Sequence, residues 1–124
     1  MIAQVETQIE TTLKTITVVA SSVYTDKAPY NVIDPYIEVS YPTGQNDYDS
    51  MKTYPQGVVQ VAGYSRTKTT VQALEASVLS KLDRQTLTMT NYKMFNILLQ
   101  FQTQDELEGV YFFIHQYQYD IEPT

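Results

Sequence analysis

Apolar residues fall at Ile2, Val5, Ile9, Leu13, Ile16 and Ala20, in steps of three and four. That spacing gathers them on one helical face and turns Glu6, Glu10 and Lys14 away from it. It predicts a helix over residues 2–20. Seven Thr and Ser between Thr7 and Ser22 lower the intrinsic propensity, so this helix needs tertiary packing to persist. Residues 23–34 carry Asp26-Lys27-Ala28-Pro29 and Asp34-Pro35, which are turn chemistry.

The period then changes to two. Over residues 36–41, Ile37, Val39 and Tyr41 share one face and Tyr36, Glu38 and Ser40 the other, with Pro35 and Pro42 bracketing the strand. Residues 43–55 are polar and aperiodic and read as a loop. Residues 56–65 form a second strand, apolar on both faces and therefore central. Its Gly63 leaves a gap, as at a bulge or where another backbone approaches.

Val71, Leu74, Glu75, Val78, Leu79 and Leu82 return to helical spacing. Thr69 or Thr70 is the candidate cap, with Thr69 and Gln72 approximating a capping box, and the helix is expected to end near Leu82-Asp83. A short strand at residues 86–90 precedes two long alternating runs, 91–104 and 109–121, separated by the acidic turn Asp105-Glu106-Leu107-Glu108. These runs predict one long hairpin, with about 12 paired residues reaching about 40 Å. A register in which paired residue numbers sum to an even value puts Phe95, Ile97, Leu99 and Phe101 on the face of Phe113, His115, Tyr117 and Tyr119. Asn96, Gln100, Gln116 and Gln118 then gather on the other face with Leu98, Phe112 and Ile114.

The pattern gives one α+β domain over residues 1–124. Its expected sheet is mainly antiparallel, with four to five strands and both helices on one face, in the order α-β-β-α-β-β-β.

Composition narrows the function classes. A formal net charge of −6, with eight scattered basic residues, disfavours nucleic-acid binding. Cysteine is absent, which excludes disulfides and thiolate metal sites. There is no secretory-signal layout at the N-terminus and no apolar run of membrane-spanning length, so the chain is expected to be soluble and made without export. Eleven Tyr against four Phe and no Trp suit wet interfaces as well as half-buried sheets.

Candidate chemistry is sparse. His115 is the lone histidine and sits mid-strand, where a packed, hydrogen-bonded residue is the expected reading. Asp47-Tyr48-Asp49-Ser50 opens like a calcium loop, but Lys52 stands where its Gly belongs and Val58 where its Glu belongs. There is no nucleophile elbow and no phosphate-cradling glycine pattern. No enzyme activity, cofactor or metal is expected; interaction is the default class.

The element order and several local stretches resemble the small tail-completion or tail-terminator proteins of long-tailed phages. The stretches are Asp34-Pro35-Tyr36-Ile37-Glu38-Val39, Gly57-Val58-Val59-Gln60-Val61, the helix at 71–83 with its Leu-Asp end, and the closing strands at 92–102 and 110–119. The chain departs from many members at Ala62-Gly63-Tyr64, where they carry Trp, and at Gln116 and Gln118, where basic residues are common. The resemblance implies a virion subunit, assembled in the host cytoplasm, that forms a homo-hexameric ring on the tail tube. Such a ring stops tube growth and meets head and neck connector proteins, with DNA passing through its lumen without specific binding and no membrane involved. A head-completion or stopper ring is the neighbouring reading, and a small ligand-binding module or enzyme subunit the alternative from another class. The residues expected at subunit or partner contacts are Tyr48, Asp49, Tyr54, Asn96, Gln100, Asp105, Glu106, Glu108, Gln116 and Gln118.

Overall fold

A computed structural model describes residues 2–16, 22–30, 32, 34–42 and 56–123. The elements run α1 (Ile2–Leu13), β1 (Val23–Thr25), β2 (Tyr36–Ser40), β3 (Gln56–Ser65), α2 (Lys68–Leu82), β4 (Leu87–Met89), β5 (Tyr92–Leu107) and β6 (Val110–Pro123). The strands form one six-stranded sheet in the order β1-β2-β3-β6-β5-β4. The α+β class holds, but the expected four to five strands become six. The sheet is mixed, because β1 pairs parallel to β2 through Val23↔Ile37 and Thr25↔Val39. Three residues beside a turn carry too little alternation to announce a strand; β1 owes its extended form to β2.

In α1 the predicted stripe is buried at Val5, Ile9, Leu13 and Ile16. The regular helix nonetheless ends at Leu13, short of the predicted extent, whose residues 17–20 lie outside the described ones. Threonine chemistry accounts for the ending. Thr12 Oγ1 donates to Gln8 O at 2.8 Å and Thr15 Oγ1 to Thr12 O at 2.6 Å, while backbone bonds Thr15 N–H to Thr12 O and Ile16 N–H to Leu13 O tighten the last turn.

The second helix buries Val71, Leu74, Val78 and Leu82. Its N-cap is Thr67, in extended conformation and without a side-chain cap bond, so the expected cap at Thr69 or Thr70 and its box with Gln72 do not form. The helix starts earlier because Thr67 O accepts from Val71 N–H at 3.2 Å while Ser65 Oγ accepts from Thr67 N–H at 3.1 Å. Its C-terminus is tied to β5: Arg84 N–H donates to Ile97 O at 2.6 Å and Leu99 N–H to Asp83 Oδ1 at 3.1 Å.

Both helices pack on the sheet face lined by Ile37 and Val39 of β2, Val59 and Val61 of β3, and Phe113, Tyr117, Tyr119 and Ile121 of β6. The gap expected at Gly63 is filled from its own subunit. Phe113 lies directly across the ladder, and a Cβ on Gly63 would collide with its ring and with Leu74 of α2. Gly57 makes the same room for Tyr119.

The long hairpin forms, with 16 residues in β5 and 14 in β6. Its turn is Glu108-Gly109, with φ of 52° and 82°, and the strands continue through Asp105, Glu106 and Leu107, which were expected in the turn. Two consecutive positive φ values make the tight connection whose twist matches the strands. The even register also fails over most of the hairpin, holding only at Leu98↔Gln118 and Leu99↔Tyr117. Irregularities between Phe95 and Leu98 and between Leu99 and Phe101 each insert a residue into β5. At the first, Asn96 has φ 52° and its Nδ2 donates to Asp120 Oδ2 at 3.1 Å. Phe95, opposite Asp120, and Phe101, opposite Gln116, therefore face away from the helices, while Met94 and Ile97 are buried beneath them.

Candidate functional site

The uncovered face of the sheet and the distal arm of the hairpin carry most of the described residues expected at contacts. On that face Tyr36 of β2 stacks on Tyr64 of β3 at 4.9 Å between ring centroids, and Tyr64 meets Phe112 of β6 at 6.0 Å. Ile114, Gln116 and Gln118 continue along β6, with Leu98, Phe101 and Leu107 on β5. The last three are 38%, 52% and 67% exposed. Asn96 and Gln100 are exposed at the two irregularities; Asp105, Glu106 and Glu108 are exposed at the tip. Tyr48, Asp49 and Tyr54 lie outside the described residues, as does the whole loop at 43–55.

On the opposite face of the same arm lies a polar chain that runs from the buried His115 to the surface. His115 is fully buried, with Nε2 2.8 Å from Glu75 Oε2 and Nδ1 2.8 Å from the Tyr117 hydroxyl. Gln104 Nε2 donates to the other oxygen of Glu75. A carboxylate only accepts, so the His115 Nε2 carries a proton and donates to Glu75. Glu75 of α2 thus joins β5 to β6. Sequence spacing placed Glu75 among the apolar positions of its helix; a carboxylate there needs a partner, a signal that sequence reasoning did not connect with the lone histidine.

Beyond this chain, a cleft of about 440 Å³ opens between the first turn of α2 (Lys68, Val71, Gln72) and the arm (Gln104, Asp105, Glu106, Tyr111, Phe112). Of these, sequence reasoning singled out only Asp105 and Glu106 as contact residues. The cleft arises because α2 rests over β3 and β6 and stops short of the arm's outer strand, a tertiary fact with no local pattern. No set of three His, Asp or Glu is grouped to hold a metal ion among the described residues. No helix among them is long and apolar enough to cross a membrane.

The titration behaviour of the sheet is dominated by buried phenols. Burial, then the charge of Glu6, pushes Tyr119 up to about 12. Burial, then Glu38, pushes Tyr64 up to about 12. Tyr117 is raised by burial, then by Asp83 and Glu75; Tyr41 is raised by burial, then by Glu10 and Glu6. Raised phenols stay protonated at neutral pH; the Tyr117 hydroxyl pairs with His115, whereas the buried Tyr41 hydroxyl meets no partner among the described residues.

With the geometry in hand, comparison with solved structures is informative about the fold. A chain in the virion of a native gene transfer agent particle superposes with a TM-score of 0.73 at 13% identity. The match covers 97% of this chain and 96% of that one. The fold is shared nearly end to end. A second solved chain, whose name describes no function, gives a TM-score of 0.68 at 12% identity, covering 98% of this chain and 93% of its own. No family model matches the sequence, and no curated protein does.

Proposed function

We propose that this protein is a structural virion subunit, a tail terminator that forms a hexameric ring on the tail tube. In this reading the ring ends tube polymerisation and joins the tube to the head through neck connector proteins. The observation that carries the reading is the near end-to-end fold likeness to a chain of a virion particle, to which the sequence resemblance adds the place in the tail. A closed ring needs two different complementary surfaces on each subunit. The uncovered aromatic face and the acidic tip of the hairpin supply two such surfaces. Asn96, Gln100, Gln116 and Gln118 belong to the first, Asp105, Glu106 and Glu108 to the second, and Tyr48, Asp49 and Tyr54 are proposed to join them. A chain of net charge −6 also suits a lumen that passes DNA without holding it.

Native mass measurement and particle imaging of the purified protein test the reading, together with co-sedimentation on tail tubes. Rings of about six subunits that bind tube ends are expected. A monomer that stays monomeric at high concentration and binds no tube would overturn it. Rings that bind neck connectors and ignore tubes would move the assignment to a stopper.

A further inference from the structure

The distal half of β5 is an open sheet edge. β4 covers only Tyr92–Met94, and the end of α2 covers Ile97 and Leu99 through Arg84 and Asp83. From Gln100 to Leu107, about 26 Å at roughly 3.3 Å per residue, β5 pairs with β6 alone. The two-residue turn makes Leu107 and Val110 a mutually hydrogen-bonded pair, so alternate residues turn their backbone groups the other way. Gln102, Gln104 and Glu106 therefore point N–H and C=O outward. The Glu106 N–H is taken by Asp105 Oδ1 at 2.8 Å. Those of Gln102 and Gln104 meet no acceptor among the described residues. Such edges pair readily with another strand unless guarded by Pro, charged side chains, a bulge or a covering element, and Gln102-Thr103-Gln104 carries no Pro, no charge and no register shift.

The cleft lies beside this edge, under the side chains that share the helix-facing side with Gln104 and Glu106. It is lined by Val71 and Tyr111, by Lys68 on the helix side, and by Asp105 and Glu106 along the edge. On the other side of the sheet, Phe101 and Leu107 stand exposed along the same strand. We propose that β5 is extended by a strand from a partner protein, one that alternates apolar and basic side chains. Its backbone pairs with Gln102 and Gln104. Its apolar residues cover Phe101 and Leu107, and one Lys or Arg on its other face lays its stem over the cleft and its charge on Glu106. A second copy of the same edge is a poor complement, since residues 100–107 contain two acidic residues and no basic one. This assignment stands on the edge and the cleft and does not depend on the virion role.

Hydrogen exchange on the full chain tests it, using a synthetic peptide of about ten residues that alternates valine and lysine, against a valine–glutamate peptide of equal length. The lysine peptide is expected to bind and to slow exchange at the amides of Gln102 and Gln104, and the glutamate peptide to leave them unchanged. Gln102→Pro removes an outward donor without touching the ladder to β6 or the bond between Gln104 and Glu75. It is expected to weaken binding about tenfold or more, the effect of losing about 1.4 kcal/mol. Equal binding of both peptides, protection elsewhere, or an unchanged affinity in the folded variant would overturn the proposal. So would protection of the same amides without peptide that grows with protein concentration, which would assign the edge to a second copy.

Discussion

The two strands of the hairpin carry similar sequences and lead different lives. β6 is paired on both sides from Tyr111 to Asp120 and buries Phe113, His115, Tyr117, Tyr119 and Ile121. β5 is longer, yet it buries only Met94 and Ile97 and leaves its distal half at the sheet edge. Alternation says that a run will be extended; it does not say how many neighbours it will have. The difference between a stabilising strand and a recognition strand is set by what else reaches it.

The largest effect expected to expose that contrast is at the phenylalanines. Phe113→Ala removes the fully buried ring that fills the space over Gly63, and is expected to cost about 3–5 kcal/mol. Phe101→Ala, on the open strand, is expected to change stability by no more than about 0.5 kcal/mol. Urea unfolding of the two variants measures both. Equal losses would mean that the arm of β5 is as integral to the core as β6.

The second effect tests the polar chain between the strands. His115→Leu leaves the Tyr117 hydroxyl without its partner and Glu75 with Gln104 alone, and is expected to cost about 2–3 kcal/mol. Glu75→Gln keeps the shape and an acceptor for the imidazole and is expected to cost less. A larger loss for Glu75→Gln would place the charge of Glu75, and not the histidine, at the centre of the chain.

Much of the fold was legible because its local signals and tertiary contacts agree. The strand at Gln56–Ser65, the end of α2 at Leu82-Asp83 and the buried faces of both helices follow from period and punctuation alone. The register of the hairpin was not legible, because Asn96 and the residues around Gln100 read as ordinary strand positions and only the paired ladder shows them as insertions. β1 was hidden for a related reason: its partner is β2, twelve or more positions away in the chain. At the candidate site, Asn96, Gln100, Asp105, Glu106, Glu108 and Gln118 are exposed and Gln116 is half-buried. The open edge and the cleft beside it depend on where α2 stops over the sheet, which no stretch of sequence records.

A smaller and pH-dependent effect separates the strands through their tyrosines. In the unfolded chain these phenols lose their protons around pH 10, whereas burial holds Tyr119 of β6 and Tyr64 of β3 up to about 12. Across that window the folded state binds more protons than the unfolded one. Their stabilising contribution is therefore complete below pH 10 and is lost as pH rises from 10 towards 12. The urea midpoint is expected to fall over that range, and tyrosinate absorbance to rise together with unfolding. Tyr119→Phe should flatten part of the fall; an unaltered slope would show that the alkaline loss comes from other groups.

The smallest effect concerns the turn that joins the strands. Glu108 holds φ 52° ahead of Gly109 at 82°, a geometry in which Asn is the favoured first residue and a carboxylate with a longer stem is not. Among the described residues no side-chain bond fixes Glu108: it is exposed, and the Gly109 N–H donates to Glu106 Oε2 at 3.2 Å. Glu108→Asn is therefore expected to stabilise the hairpin by about 0.5 kcal/mol, within the range that relief of a disfavoured turn residue supplies. The gain should appear as a raised melting temperature with slower amide exchange at Leu107 and Val110, the pair that closes the turn. Because both strands share this turn, a tighter tip is expected to leave the contrast between them intact. The core of β6 has no use for it, and the open edge at Gln102 and Gln104 stays open, with only its distal end held more firmly. A loss of stability in this variant would mean that the Glu108 side chain makes a contact that the turn geometry alone does not require.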